Sequence, residues 1–552
     1  MRLSWSSQLA VFGALAIVPC GADDVKNIAI IGAGAAGSSA AYHLQKYAEK
    51  ENLAINITIF EKTDRIGGRS LTVPVYDDPS QPIELGASIF VNVNKILYNA
   101  SKLFDLPVGD PHRPEKDEVT AIWDGEEFVW QTYEGSSDWW DLAKMFWKYG
   151  LAPYKAKQVR DGVVDAFLQL YEPPYFPFKS LTQRVQEMGM DQVTGITGDQ
   201  ILEQAGVNPR FSREILQGAT RVNYASNLAY IHGLETLVSF ATDGAMSVES
   251  GNWRIFDHMV RASGASIYQN TTVASIEAAQ KKTDTSSPKY VISTRDANSE
   301  ATTSDEYEVA FDNVVIANPW QYGNIKAGEG VLGREIDEIP YTKLHVTLFA
   351  SPLKLHPQFF GLEPGSKAPS NVYTTLGKDE EPKQGAEGVG RTGFYSVSTL
   401  KSVTNPKTGK KEHVYKIFTA EAVTAEFLTR LLGSEIPDTF VSTKEGNGDA
   451  AAIEPISWYY PHAFYSYPIE LPRVTFEDPV IGDGVYYTSG IESFISTMET
   501  SALMGKNVAR LMADDFAGIS RPDRILDIWG VLGEAVEEEE PEDIGVQPGG
   551  EL

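Results

Sequence analysis

Asn27-Ile-Ala-Ile-Ile-Gly32-Ala-Gly34-Ala-Ala-Gly37 carries two signals in succession. The run Asn27–Ile31 is short and continuously apolar, as expected of a strand buried on both faces of a parallel sheet. The Gly-x-Gly-x-x-Gly that follows, and the small-residue stretch through Tyr42, His43 and Leu44, predict a tight turn into a helix. A second strand, Ile55–Phe60, ends at Glu61. Strand, glycine turn, helix and strand closed by an acid make the βαβ unit of a dinucleotide-binding fold. In that unit Gly32 permits the turn, Gly34 leaves bare backbone for a pyrophosphate, and Gly37 lets the helix pack on the strand. The helix N-terminus offers N–H groups and the positive end of its dipole to the phosphates. Glu61 is placed to accept from a ribose 2′-hydroxyl, and its charge would repel a 2′-phosphate, which excludes an NADP-type ligand.

Outward from this unit, Ala265-Ser-Ile-Tyr268 and Thr272–Ile276 read as short strands. Val309–Ala317 reads as a buried strand ended by Asn318-Pro319, and Val485–Ser489 as a strand leading to a helix from about Thr497. The chain is therefore expected to be α/β, with a Rossmann-type domain assembled from residues 25–95, 216–330 and 476–518. Residues 96–215 form a helical, aromatic segment and 331–475 an α+β substrate domain. Within 130–180, Trp139, Leu142, Phe146 and Tyr149 fall on one helical face. That face is either ordinary core or a greasy wall toward a lipid-like ligand or a membrane surface. Residues 364–412, with repeated Gly, Pro and Lys, read as surface loops.

At 552 residues the chain is too long for one core, and 42% hydrophobic with 22% charged residues is globular composition. A net charge of −28 argues against nucleic acid as a partner. Part of that charge lies in an acidic tail, 519–552, read as solvated and disordered. Eight of its acids and no basic residue fall between Glu534 and Leu552. Residues 1–22 read as a signal peptide: Arg2, an apolar run Leu9–Val18, then Cys20-Gly21-Ala22. That run of about ten residues is too short to span a bilayer, which takes about 20, and no other stretch is long enough. A secretory route is expected, with N-glycosylation at the sequons Asn56, Asn99 and Asn270, although Asn56 falls in a strand read as buried. The single cysteine, Cys20, lies in the segment to be removed, so disulfides, thiolate nucleophiles and cysteine-bound metals are not expected, and no metal site is.

Beyond Glu61 come Lys62, then Arg65-Ile-Gly67-Gly68-Arg69 and Glu84-Leu-Gly86-Ala-Ser88; near the far end stands Ser489-Gly490-Ile491-Glu492. This set resembles the glutathione-reductase-like flavoproteins and the amine oxidase group. The resemblance implies an FAD wrapped by Gly68 and Arg69, with Arg69 neutralising phosphate and Gly86, Ala87 and Ser88 beside the flavin. It places Gly490, Ile491 and Glu492 at the ribityl chain and aims the helix from Thr497, with Met498, at the flavin pyrimidine. Ala35, Ala36, Lys62 and Val273 complete the cofactor contacts it implies. Glu492 stands two residues after Gly490 rather than next to it, a departure from the amine oxidase pattern.

Read with Arg221-Val-Asn223-Tyr224, Glu249-Ser-Gly-Asn252, Tyr460-Pro-His462 and Ser489–Ala502, the chain resembles the prenylcysteine oxidase (prenylcysteine lyase) family of FAD thioether oxidases over residues 26–515. Ser250 departs from a glycine usual in that motif, and 364–412 is longer and more polar than the family suggests. The resemblance implies hydride removal from a carbon both allylic and next to sulfur, which needs no strong base. Water addition and collapse then give cysteine and a prenal, and oxygen is reduced to hydrogen peroxide. A lysosomal, vacuolar or secreted enzyme follows, with peripheral membrane contact. Arg221, Asn223 and Tyr224 hold the cysteine carboxylate, line the flavin, or form a structural hydrogen-bond cluster. His462 assists proton transfer to the thiolate or is a structural histidine. Glu499 caps the last helix or sits beside the flavin. A flavin amine oxidase, a desaturase of a secondary metabolite, and a non-catalytic lipid-binding flavoprotein stay open as alternatives.

FAD should be noncovalent, since the mature chain has no cysteine and the glycine-rich segments no histidine. Acid precipitation is expected to leave FAD in the supernatant; flavin fluorescence on the denatured protein band would contradict this.

Overall fold

A computed structural model describes residues 25–110, 118–133, 138–279, 289–299, 304–307, 309–440 and 454–521, with the backbone alone for 138–142. The signal segment, the acidic run 534–552 and the side chains of Trp139 and Leu142 lie outside the described residues.

The chain first lays down β1 (Lys26–Ile31), α1 (Ala35–Glu51) and β2 (Ile55–Phe60). It leaves through α2 (Lys95–Leu103), β3 (Val119–Trp123), β4 (Phe128–Tyr133), α3 (Asp138–Tyr149), α4 (Ala152–Leu168) and α5 (Gln217–Tyr224). It returns with α6 (Trp253–Ser263), β5 (Ser266–Tyr268) and β6 (Asn313–Ile316). A second excursion builds β7 (Tyr341–Ser351), β8 (Asn371–Thr374), β9 (Ser396–Thr404), β10 (Lys411–Thr419) and β11 (Trp458–Pro468). The last elements are β12 (Val480–Gly482), β13 (Val485–Tyr487) and α7 (Met498–Phe516).

One sheet has the order β12-β13-β6-β1-β2-β5, with only the edge strand β12 antiparallel to its neighbour. Its register aligns Ile31 with Phe60 and with Ile316, and Ile316 with Tyr487. Gly32, Glu61, Ala317 and Thr488 therefore leave the sheet along one edge, the carboxyl edge where such sheets take their ligands. Both faces are covered, which is why Asn27–Ile31 does not alternate. Ile28 and Ile30 pack with Ala40, Leu44, Val508 and Met512 of the helices, whereas Ala29 and Ile31 pack with Phe60, Val314 and Tyr487. The contact between α1 and α7 is close: a Cβ on Gly505 would lie 2.2 Å from the Ala36 carbonyl oxygen. The segment 309–317 is strand only over Asn313–Ile316, because Val309 is exposed and Phe311 bridges to Tyr290 in a separate sheet.

The second sheet has the order β11-β7-β10-β9-β8-β3-β4. It corrects the reading of 364–412 as surface loops: β8 and β9 are interior strands of this sheet, and β10 begins within the segment. Ser, Thr and Lys on these strands conceal buried positions such as Val372, Val397 and Val403. Asn56, read as buried, is exposed at the start of β2, where its amide donates to Asn27. The expected aromatic face of α3 divides between its two readings. Tyr149 is buried, but Phe146, on the same expected stripe, is 61% exposed.

Glu499 caps a helix other than its own. It is 1% exposed, and its carboxylate accepts from the backbone N–H groups of Ile96 (2.8 Å) and Leu97 (3.0 Å) and from the Tyr171 hydroxyl (2.8 Å). No side chain of α2's own N-cap does so. Replacing Glu499 with Gln presents an NH₂ to donors that need an acceptor. The urea midpoint should fall by the equivalent of about 2 kcal/mol while the folded fraction keeps its flavin; an unchanged midpoint would remove this cap from the account.

Candidate functional site

The three glycines of the first turn do different work. Gly32 has φ +105°, and a Cβ there would press on the Ala317 carbonyl oxygen at 3.0 Å. A Cβ on Gly37 would lie 1.9 Å from the Gly32 carbonyl oxygen. Gly34 is unlike both: its φ of −76° suits any residue, and a Cβ there would meet only Gly68 Cα at 3.7 Å. It is the N-cap of α1, yet no side chain caps that helix and no acid stands in its first turn, which holds Ala35 and Ala36. The fold leaves an uncapped helix end beside bare backbone at Gly34 and Gly68, a cradle of the kind a pyrophosphate fills.

Glu61 ties this cradle together. It is 6% exposed and accepts from the Ala33 N–H (2.8 Å) and from the Thr63 N–H (2.9 Å) and hydroxyl (2.7 Å). Each carboxylate oxygen has two acceptor directions, so these bonds leave capacity for a ribose. Lys62 is exposed beside it, and Val273 is buried next to an irregularity in strand Thr271–Ala278.

Arg69 donates to Glu492 (2.7 Å) and to the Ser466 carbonyl (2.7 Å), and the Tyr341 hydroxyl donates to the other Glu492 oxygen (3.1 Å). The arginine side chain is 35% exposed and the glutamate 5%, so the pair is open on the arginine side. Glu492, displaced from the amine oxidase position, thus partners Arg69 and joins β7, β11 and the turn Ser489–Ser493. Gly490 and Ile491 are packed in that turn, where a Cβ on Gly490 would lie 2.4 Å from the Glu477 carbonyl oxygen. Met498 opens α7, whose N-cap Thr497 makes a capping box with Thr500.

The turn Glu84–Ser88 is pressed against Arg69: a Cβ on Gly86 would lie 1.9 Å from the Arg69 carbonyl oxygen, to which the Ala87 N–H donates (3.2 Å). Asn252 clamps the turn through its N–H to Glu84 (2.6 Å) and its amide to the Ala87 carbonyl (3.2 Å). Ser250, where the motif usually has glycine, takes φ +69°, a conformation costly to any side chain. Sequence reasoning missed Lys416. From β10 its ammonium donates to the Glu84 carbonyl (2.9 Å) and the Ser88 hydroxyl (3.0 Å). Burial lowers it to about 8 against the opposing charge of Glu84, and burial raises Glu84 to about 7. Its signal is a lone cation inside Val414-Tyr-Lys-Ile-Phe418.

Arg221 is wholly buried, and every one of its nitrogens has a protein acceptor. These are Thr374, Asn227, the carbonyls of Gly388 and Val389, and Thr392, at 2.8–3.2 Å. It staples α5 to β8 and the loop before β9, the structural cluster among its readings. Asn223 donates to the Ser239 carbonyl (2.8 Å). Tyr224 packs edge-on to Tyr467 and bonds Glu235, beside a buried group that sequence reasoning also missed. There His232 Nε2 lies 3.4 Å from Glu470, and the Ser496 N–H donates to Glu235 (3.2 Å). Burial, then Glu470, raises Glu235 to about 8, and burial lowers His232 to about 4. His462 lies on edge strand β11 between Tyr460 and Phe464, lowered by burial and by Arg65 of the glycine-rich segment.

The cradle separates fold from binding. Gly34→Val should fold, with normal far-UV dichroism, yet bind no flavin; Gly37→Val should not fold. A yellow Gly34→Val protein would displace the site.

Residues 30–105 match the model of an NAD(P)-binding Rossmann-like domain, and residues 132–523, more than two-thirds of the chain, match the prenylcysteine lyase model. The chain is 26% identical to a farnesylcysteine lyase of Arabidopsis thaliana over 91% of this chain and 92% of that protein. It is 29% identical to prenylcysteine oxidase 1 of Bos taurus over 88% of each. A fatty acid isomerase from P. acnes shares the fold, with a TM-score of 0.50 at 12% identity over 88% of this chain and 98% of that structure. With its glycine cradle at one end and the prenylcysteine lyase model covering most of its length, the chain belongs to the prenylcysteine lyase family.

Proposed function

We propose that the chain is an FAD-dependent oxidase that cleaves the thioether of farnesyl- or geranylgeranylcysteine. The observation that carries this reading is an apolar wall beside the cofactor segments. Leu400, Phe418, Tyr460, Phe464 and Tyr467, all half-buried, pack on the cluster that holds Val73, Ile83 and Leu85 of the ribbon leading to Glu84–Ser88. Such a wall suits an isoprenoid chain and keeps water from the reacting carbon. The names of the relatives, farnesylcysteine lyase and prenylcysteine oxidase, support the same substrate class.

The cofactor is FAD, which when bound would supply a two-electron acceptor for the hydride on the carbon between sulfur and the alkene. The chain's own residues hold and orient. The free N–H groups at Ala35–Gly37 would hold the pyrophosphate, Glu61 has acceptor capacity for the ribose, and Arg69, held by Glu492, would meet the remaining charge. Substrate, water and O₂ balance as free cysteine, prenal and hydrogen peroxide, with two electrons passing from the carbon to oxygen.

The proposed setting is the secretory pathway, in a lysosome or vacuole or outside the cell, with peripheral contact to membranes where prenylated material resides. Exposed Asn56 and Asn99 support a glycosylated route.

Anaerobic farnesylcysteine should bleach the flavin, and in air it should give cysteine, prenal and one peroxide per turnover. Shortening the chain to five carbons should cost several kcal/mol of binding, at about 0.8 kcal/mol per methylene. Equal rates with benzylamine or methylthio compounds would replace this reading with an amine oxidase.

A further inference from the structure

The elbow between α3 and α4 has an inner and an outer side. On the inner side Tyr149, Ala152 and Ala156 are buried against Leu202, Val207, Phe211 and Leu216. On the outer side Phe146 is 61%, Trp147 91%, Leu151 59% and Tyr154 66% exposed. Four large apolar side chains within nine residues form a patch that folding leaves in water, as partner-binding surfaces do. Phe146 and Trp147 end α3 and Leu151 and Tyr154 begin the next helix, on the two sides of Gly150, whose φ is +64° and which has open space around it.

Charge identifies the partner. The chain carries −28, yet the elbow itself, residues 143–160 between Asp141 and Asp161, contains Lys144, Lys148, Lys155, Lys157 and Arg160 and no acid, although Asp138, Asp141, Asp161 and Asp165 stand farther out on the same two helices. Lys148 and Arg160 are used internally, on Glu214 and on Asp161 and Asp243. Lys144, Lys155 and Lys157 are exposed on the elbow, Lys155 donating to the Gly206 carbonyl and Lys157 pairing with Asp161. Tryptophan, phenylalanine and leucine bordered by lysines are the composition of a surface that enters the headgroup region of an anionic bilayer. An acidic protein would otherwise be repelled there.

We propose that the α3–α4 elbow docks this protein on anionic lipid surfaces, with Phe146, Trp147, Leu151 and Tyr154 inserted and Lys144, Lys155 and Lys157 facing the headgroups. The inference deepens the membrane contact proposed above and rests on the reading of a lipidic substrate.

The test is co-sedimentation of the flavin-loaded full chain with vesicles of phosphatidylcholine alone, or with about a third phosphatidylserine. Binding should be at least tenfold stronger to the mixed vesicles and weaken as salt rises. Phe146→Ser with Trp147→Ser should lose at least tenfold on both vesicles. Lys155→Ala with Lys157→Ala should lose about fivefold per lysine on the mixed vesicles alone. Flavin content and dichroism should stay unchanged in both variants. No binding to either vesicle overturns the proposal. So does a dimer that the apolar variant turns into a monomer while vesicle binding is absent, since the patch would then join two copies of the chain. Vesicle binding is read without turnover: a chain that docks but leaves prenylcysteine untouched upholds the docking and refutes the activity. One that oxidises soluble prenylcysteine but ignores vesicles does the reverse.

Discussion

The crossing of α1 and α7 sets the geometry on which the site depends. Ala36, Ala40 and Ala41 on one helix and Gly505, Ala509 and Ala513 on the other are small enough for backbones to touch, and a Cβ at Gly505 would overlap the Ala36 carbonyl. The Ser39 hydroxyl donates to the Ala502 carbonyl near one end (2.6 Å), and Arg510 reaches Glu51 near the other (3.4 Å). The two helices therefore run the same way, and both N-termini open toward the carboxyl edge of the sheet. Their dipoles add at that edge. Elements from opposite ends of the chain so make one electropositive crevice, which neither makes alone.

What was legible in the sequence is what local residues determine. Ile55–Phe60 is the strand expected, β1 begins one residue early at Lys26, and Thr497 caps α7 where a helix start is expected. In each case an apolar run and its turn or cap are adjacent in the chain. The second sheet is different. Ser396–Thr404 and Lys411–Thr419 pair with each other as a hairpin, but they become interior strands only because β8 and β7 flank them, and their Ser, Thr and Lys lie within cross-strand pairing that a linear reading does not reveal. Glu499 makes the same point at one residue. Its position in the first turn of α7 suggests a local cap, whereas its acceptors serve donors 403 and 402 residues away.

The stretches that carry the family resemblance were legible as strings but not as roles. Arg221-Val-Asn-Tyr marks a helix end where a guanidinium crosses to a strand and a loop, and Glu249-Ser-Gly-Asn252 marks a clamp on the turn beside Arg69. The first ties the two excursions of the chain to each other, and the second ties the turn to the start of α6 in the nucleotide-binding layer. The buried His232, Glu235 and Glu470 belong to the same seam, and burial holds the histidine neutral and the acids toward their protonated forms. A neutral seam costs less to bury than a charged one, and it leaves the dipole of α7 unopposed at Ser496.

Two buried cations show how the chain divides structure from chemistry. Arg221 has five N–H groups, and its nitrogens are all met by neutral oxygens held on three different elements. A guanidinium so enclosed has nothing left to offer a ligand, and its planar fork makes it a good staple. Lys416 is 7% exposed but has two protein acceptors for three N–H groups, and burial brings its ammonium to about 8. Its charge is opposed by the Glu84 carboxylate and lies 5.0 Å over the Phe418 ring, at the turn Glu84–Ser88 that the apolar wall adjoins. A cation left short of acceptors beside a binding crevice favours an electron-rich guest, whereas one with every donor filled favours only the fold.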